Sequence, residues 1–236
     1  MILRQVALWA ALFAVPLGLL SDALYSASIG FRSDFVSLTK LDVLAADPAL
    51  LRWATFTDIW GYYLPLAPIA LYLRRRFDGR SGLLDLYTAA ALAAVVIGSA
   101  GALVLGAVGP ALASGYATAT ASERPAYKIA AAALEDAVFV AIWQTFDALV
   151  LGFFYVGIGQ LLRRERRWLG TFSMFIGIDA ILAAVFRVIG LEPLAIAAIV
   201  VWLPLMTVWF LWLALVALRF PEPRSAGLKT SHAEVS

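Results

Sequence analysis

Six nearly uncharged runs of about twenty residues or more dominate the chain: 6–25, 53–73, 83–108, 129–162, 168–191 and 194–218. A helix of that length, rising about 1.5 Å per residue, matches a hydrocarbon layer about 30 Å thick. Composition leaves these runs no other solvent. Of 236 residues, 63% are hydrophobic and 14% charged, against about 45–50% and about 25% in soluble domains. A soluble globular domain, a disordered chain and a nucleic-acid-binding module are excluded. The fold class that follows is all-α: one polytopic six-helix membrane bundle over residues 1–220, with a polar tail at 221–236 that reads as disordered.

Cysteine is absent and the single histidine, His232, lies in the tail. Disulfides, thiolate nucleophiles, iron–sulfur clusters, bis-histidine haem and Ser-His catalysis inside the membrane are therefore excluded. No catalytic residue, metal ligand set or cofactor motif stands out. The first run follows Arg4 as a signal peptide would. It is long for a signal core, and Tyr25 is a poor residue before a cleavage site, so an uncleaved first span is expected.

Threading follows from the basic residues. Arg4, Arg74, Arg75, Arg76, Arg80, Arg163, Arg164, Arg166, Arg167, Arg219, Arg224 and Lys229 fall on one side; Arg32, Lys40, Arg52, Arg124 and Lys128 fall on the other. That bias places both termini in the cytoplasm. The arginine-rich turns 74–81 and 163–167 then close antiparallel hairpins. On the outer side, Phe31, Phe35, Leu38, Leu41 and Leu44 recur at helical spacing, which predicts an amphipathic piece on the interface within 26–52. Asp47 and Pro48 read as a helix cap and first helical residue. Segment 109–128, rich in Gly, Ala, Ser and Thr, reads as a mobile loop.

Ala90, Ala94, Gly98, Ala102 and Gly106 form a small-residue stripe suited to close packing within the bundle. Gly61, Pro65 and Pro68 predict a kink in the second span. The tryptophans, among them Trp9, Trp53 and Trp168, read as interfacial anchors.

Charged side chains inside a span cost about 2.5–3.5 kcal/mol on insertion scales and are functional candidates by default. Asp58 lies 16 residues from Arg74, and Asp147 lies 16 from Arg163. Both come out roughly 24 Å above the cytoplasmic boundary. Asp22 and Arg187 come out slightly higher. Tyr62 shares a helical face with Asp58, and Trp143 and Gln144 share one with Asp136 and Asp147. The reading is an outward-facing vestibule lined by Asp22, Asp58, Gln144, Asp147 and Arg187, with Asp147 and Asp58 as the arginine's partners. A purely structural ion pair fits the same residues. Asp179 stands alone near the midplane as a proton-relay candidate, with Thr171, Ser173 and Thr207 as possible neighbours.

The stretches "DPALLRWATFTDIWGYYLPLAPIALYLRRR" and "LVLGFFYVGIGQLLRRERRWLGTFSMFIGIDAILAAVFRVIG" resemble bacterial membrane proteins of the domain-of-unknown-function 4386 family. In both, a span opens on an acid and closes on basic residues, and a Gly- and aromatic-rich fourth span leads through a basic turn to a fifth with an interior Asp. The resemblance implies a six-helix protein of a bacterial inner membrane and carries over no functional residue. The histidine that family commonly has near the fourth span is absent here. Three functions remain open on the residues: a non-enzymatic binder of a small hydrophobic or cationic ligand or of a membrane partner subunit; a proton-coupled secondary transporter using Asp179; and an intramembrane lipid-modifying enzyme. Membrane lipid is the one partner common to all three.

Overall fold

The computed structural model describes residues 2–28 and 40–217. Every regular element among them is helical: α1 (Ile2–Ser28), α2 (Leu41–Leu44), α3 (Pro48–Asp58), α4 (Leu66–Arg76), α5 (Leu84–Thr118), α6 (Arg124–Glu135), α7 (Ala148–Glu165), α8 (Arg167–Val188) and α9 (Glu192–Trp212). Wider π-helical turns at Ile59–Tyr63, Asp136–Asp147 and Leu213–Ala217 join α3 toward α4, join α6 to α7, and extend α9. Five helical units are long and apolar enough to cross a membrane: Ile2–Ser28, Leu84–Thr118, Arg124–Glu165, Arg167–Val188 and Glu192–Val216.

The expected second span is divided. Gly61 sits in the first π turn, and Pro65, which has no amide hydrogen to give, follows it. Asp47 caps α3, accepting from the Ala49 amide at 3.1 Å with Pro48 in the first turn, as the sequence suggests. The expected loop at 109–128 is corrected: α5 runs on to Thr118 and α6 begins at Arg124. Alanine is the strongest helix former, and Pro125 occupies a first-turn position that tolerates it. Of the expected amphipathic segment, Phe31, Phe35 and Leu38 lie outside the described residues, as do Arg32, Arg219, Arg224, Lys229, His232 and the tail. Leu41 and Leu44 are described, and they are buried against Leu51, Ala54 and Leu105.

The helices close into a ring. α1 packs on α3 and α4, these on α5, α5 on α7, α7 on α8, α8 on α9, and α9 returns to α1. Glycine permits the tightest contacts. A Cβ on Gly177 would stand 2.6 Å from the Gly152 carbonyl oxygen, and one on Gly159 would stand 2.9 Å from that of Gly170. On the α5 stripe, Gly98 lies against the Tyr63 ring and Gly106 against Thr55, so the small residues serve packing inside the bundle.

Both arginine turns lie at one end, where Glu165 accepts from Arg76 at 2.6 Å and from Arg80 at 2.7 Å. The larger apolar core fills that end and includes Leu73, Phe77, Leu162, Trp209 and Phe210. A smaller core around Tyr25, Leu51, Leu105 and Val138 fills the other. The polar residues meet between the two.

Candidate functional site

Asp22 comes from the last turns of α1, Asp58 from the end of α3, and Asp147 from the end of the long π segment. The first two are brought level by an antiparallel contact in which Ser21 Oγ donates to the Ala54 carbonyl at 3.1 Å. That contact is close because Gly61 meets the backbone at Gly18, where a Cβ would stand 2.7 Å from Gly18 Cα. The π turn beside Asp58 then aims two consecutive tyrosines inward. Tyr62 donates its hydroxyl to Asp22 Oδ2 at 2.8 Å and stands 3.4 Å from Thr207 Oγ1 of α9. Tyr63 directs its hydroxyl at the Asp147 carboxyl.

The three carboxyls form one electrostatic unit. Asp58 feels the charges of both Asp22 and Asp147, Tyr25 those of Asp58 and Asp22, and Tyr155 that of Asp147. Among the described residues, no lysine or arginine acts on Tyr25, Asp58, Tyr63, Asp147 or Tyr155. Asp58 is 8% exposed and Asp147 1%. Of the expected vestibule lining, Asp58 and Asp147 are buried, while Asp22, Gln144 and Arg187 stay half-buried. Trp143 covers one side: its ring packs edge-on against Tyr25 and Phe139, and its Nε1–H donates to the Gly98 carbonyl at 3.2 Å.

Arg187 does not join the aspartates. Its guanidinium reaches Gln144 Oε1 and forms an ion pair with Glu192 at the start of α9. The expected pairing with Asp147 or Asp58 is corrected, for a reason of chain geometry. Gly190, at φ +79°, turns the chain so sharply that Glu192 folds back beside the end of α8. A partner supplied within the turn forms without bending three other helices. Glu192 was missed because it lies at the edge of an apolar run. Asp136 also stays out of the cluster, since π winding moves it off the face that an α-helix would share with Asp147. The Thr145 hydroxyl bonding the carbonyl of Val140, five residues back, marks that winding.

Asp179 is separate again. Its Oδ2 is buried without a partner among the described residues. Ser173 instead donates to the Leu169 carbonyl and accepts from Trp209, and Thr207 stands beside Tyr62. Because Gly152 faces Gly177 across α7 and α8, Asp179 stands opposite Val150, roughly 5 Å nearer the arginine end than Asp147. Among the described residues, no group of three His, Cys, Asp or Glu side chains is arranged to hold a metal ion. Tyr25, Tyr63 and Tyr155 were missed as members of the site. Aromatic residues in apolar runs carry no sequence signal that separates a core ring from one aimed at a carboxyl.

Comparison with protein-family models finds no match, and neither the search of curated proteins nor that of solved structures finds a similar one.

Proposed function

We propose that this is a non-enzymatic six-span protein of a bacterial inner membrane, both termini cytoplasmic, that binds a small cationic ligand at the Asp22–Asp58–Asp147 cluster. The sixth crossing is α3 with α4, a unit roughly 44 Å long that packs beside α1 and α5. The observation that carries the ligand reading is three aspartates on three elements, Asp22 half-buried and Asp58 and Asp147 buried, with no basic side chain among the described residues acting on the two deepest. Uncompensated buried carboxyls are costly, and a fold retains them where a ligand supplies the missing charge.

The test is the sign of a stability change. Asp58→Asn removes a buried carboxyl that no basic side chain among the described residues compensates, so ligand-free protein in neutral detergent gains about 1–3 kcal/mol and melts higher. A structural role predicts the reverse, and a lower melting temperature for Asp58→Asn overturns the reading.

A second reading is favoured by the unpartnered Asp179 Oδ2: a proton-coupled carrier in which Asp179 passes protons toward the cytoplasm. Proteoliposomes then acidify when a pH gradient is imposed, and Asp179→Asn abolishes the flux. Equal flux in both proteins removes this reading.

A further inference from the structure

Four buried oxygen atoms of the aspartate cluster have no hydrogen-bond partner among the described residues: Tyr25 Oη, Asp58 Oδ2, Asp147 Oδ1 and Tyr155 Oη. Each belongs to a residue at least nine-tenths buried. Folded proteins satisfy nearly all buried polar atoms, so four orphans on residues linked in turn, Tyr25 to Asp58, Asp58 to Asp147 and Asp147 to Tyr155, mark the place of a polar guest.

The surroundings define its chemistry. Every orphan is oxygen and two are carboxyl oxygens, so the guest is positive and prefers hard donors. The rings of Tyr25, Phe139 and Trp143 lie against one another at centroid distances of 4.8–6.5 Å, which fills the space an aromatic cage would leave for an organic ammonium ion. Among the described residues, no three carboxylate or imidazole groups are arranged to hold a metal ion, whereas calcium takes about 6–8 oxygens, commonly including several carboxylates. Two carboxyls with phenolic oxygens nearby suit a smaller charge.

We propose that the cluster binds a dehydrated monovalent inorganic cation of the sodium class, held between Asp58 and Asp147 with the Tyr25 and Tyr155 hydroxyls as neutral donors. This rests on the reading of the cluster as a cation site and names the ligand. It also gives the two π segments a role: one begins right after Asp58 and the other ends at Asp147, so widened turns position both carboxyls.

The experiment is thermal unfolding of the full chain in neutral detergent, at constant ionic strength, in sodium, lithium, potassium, choline or tetramethylammonium chloride. Sodium raises the melting temperature saturably, by about 5 °C over choline at saturation. Asp147→Asn removes that increment, and Glu165→Gln, at the far end of the bundle, keeps it. Should Asp147→Asn fail to fold, Tyr155→Phe deletes one oxygen and raises the sodium midpoint several-fold. A shift with tetramethylammonium alone overturns the inorganic ligand and leaves the cationic-ligand reading standing. Identical melting in all five salts overturns both.

Discussion

Trp209 is the largest fully buried side chain, and its indole N–H donates to Ser173 Oγ at 2.7 Å; that hydroxyl in turn donates to the Leu169 carbonyl at 2.8 Å. Ser173→Ala would leave the indole N–H buried and unmet, a loss of about 1–3 kcal/mol. It should appear as a lower melting temperature in detergent, with Trp209→Phe in the Ser173→Ala background recovering part of the loss. An additive double mutant contradicts this coupling. Trp9, Trp53 and Trp168, which their positions near the run ends suggest as interfacial anchors, are exposed. Trp209 shows where that reading stops. Its place in the core depends on a serine 36 residues away on another helix, a pairing that no local pattern encodes.

At the scale of elements, glycine decides how closely two helices approach. Gly177→Ala would push a methyl into the Gly152 carbonyl and the Val156 amide, 2.6 and 2.7 Å away. Backbone cannot move aside as a side chain can, so α7 and α8 separate at a cost of about 1–3 kcal/mol. Gly82→Ala, with nothing within 4 Å of its added methyl, is the matched control and leaves the melting temperature unchanged. The α5–α6 turn carries a pH dependence of its own. The Thr120 hydroxyl and amide, at 2.7 and 2.9 Å, hold Glu123 below the usual carboxylate range. Its folded-state value lies under its unfolded one, so the contribution is complete above the unfolded value and vanishes as pH falls through the folded value. Protection of the Thr120 amide against exchange, relative to its intrinsic rate, should therefore fall as pH drops through the folded-state value, and Glu123→Gln should abolish that change. Helix existence at this tip was hidden by composition. Gly, Ala, Ser and Thr suggest a loop, yet α5 and α6 persist because Tyr116 of α5 stacks with Arg124 and Lys128 of α6 at 5.1 and 5.7 Å.

At the scale of the molecule, the arginine end is tied by one acid. Glu165 joins Arg76 and Arg80, and so locks the α4–α5 turn to the end of α7. The Arg76 side chain is 8% exposed, so Glu165→Ala leaves a largely buried guanidinium with Tyr72 Oη at 3.0 Å and costs about 1–3 kcal/mol. Limited trypsin digestion should then cut at Arg74–Arg80 several-fold faster, and an unchanged rate counts against the tie.

The order of residues along the chain dictated the long apolar helices, the all-helical class, the Asp47 cap and the break near Pro65. Each depends on residues adjacent in the chain and on the free energy of placing them in lipid. It also brought Asp22, Asp58 and Asp147 to one depth, because rise per residue is constant along a helix. Packing between helices set which way those carboxyls face, that tyrosines rather than Arg187 meet them, and that Glu192 takes the arginine. Azimuth around a helix axis is lost once π turns change the winding, and partner choice depends on side chains brought together by packing across the ring. The apolar runs that announced a membrane chain therefore told nothing of the polar junction that they enclose.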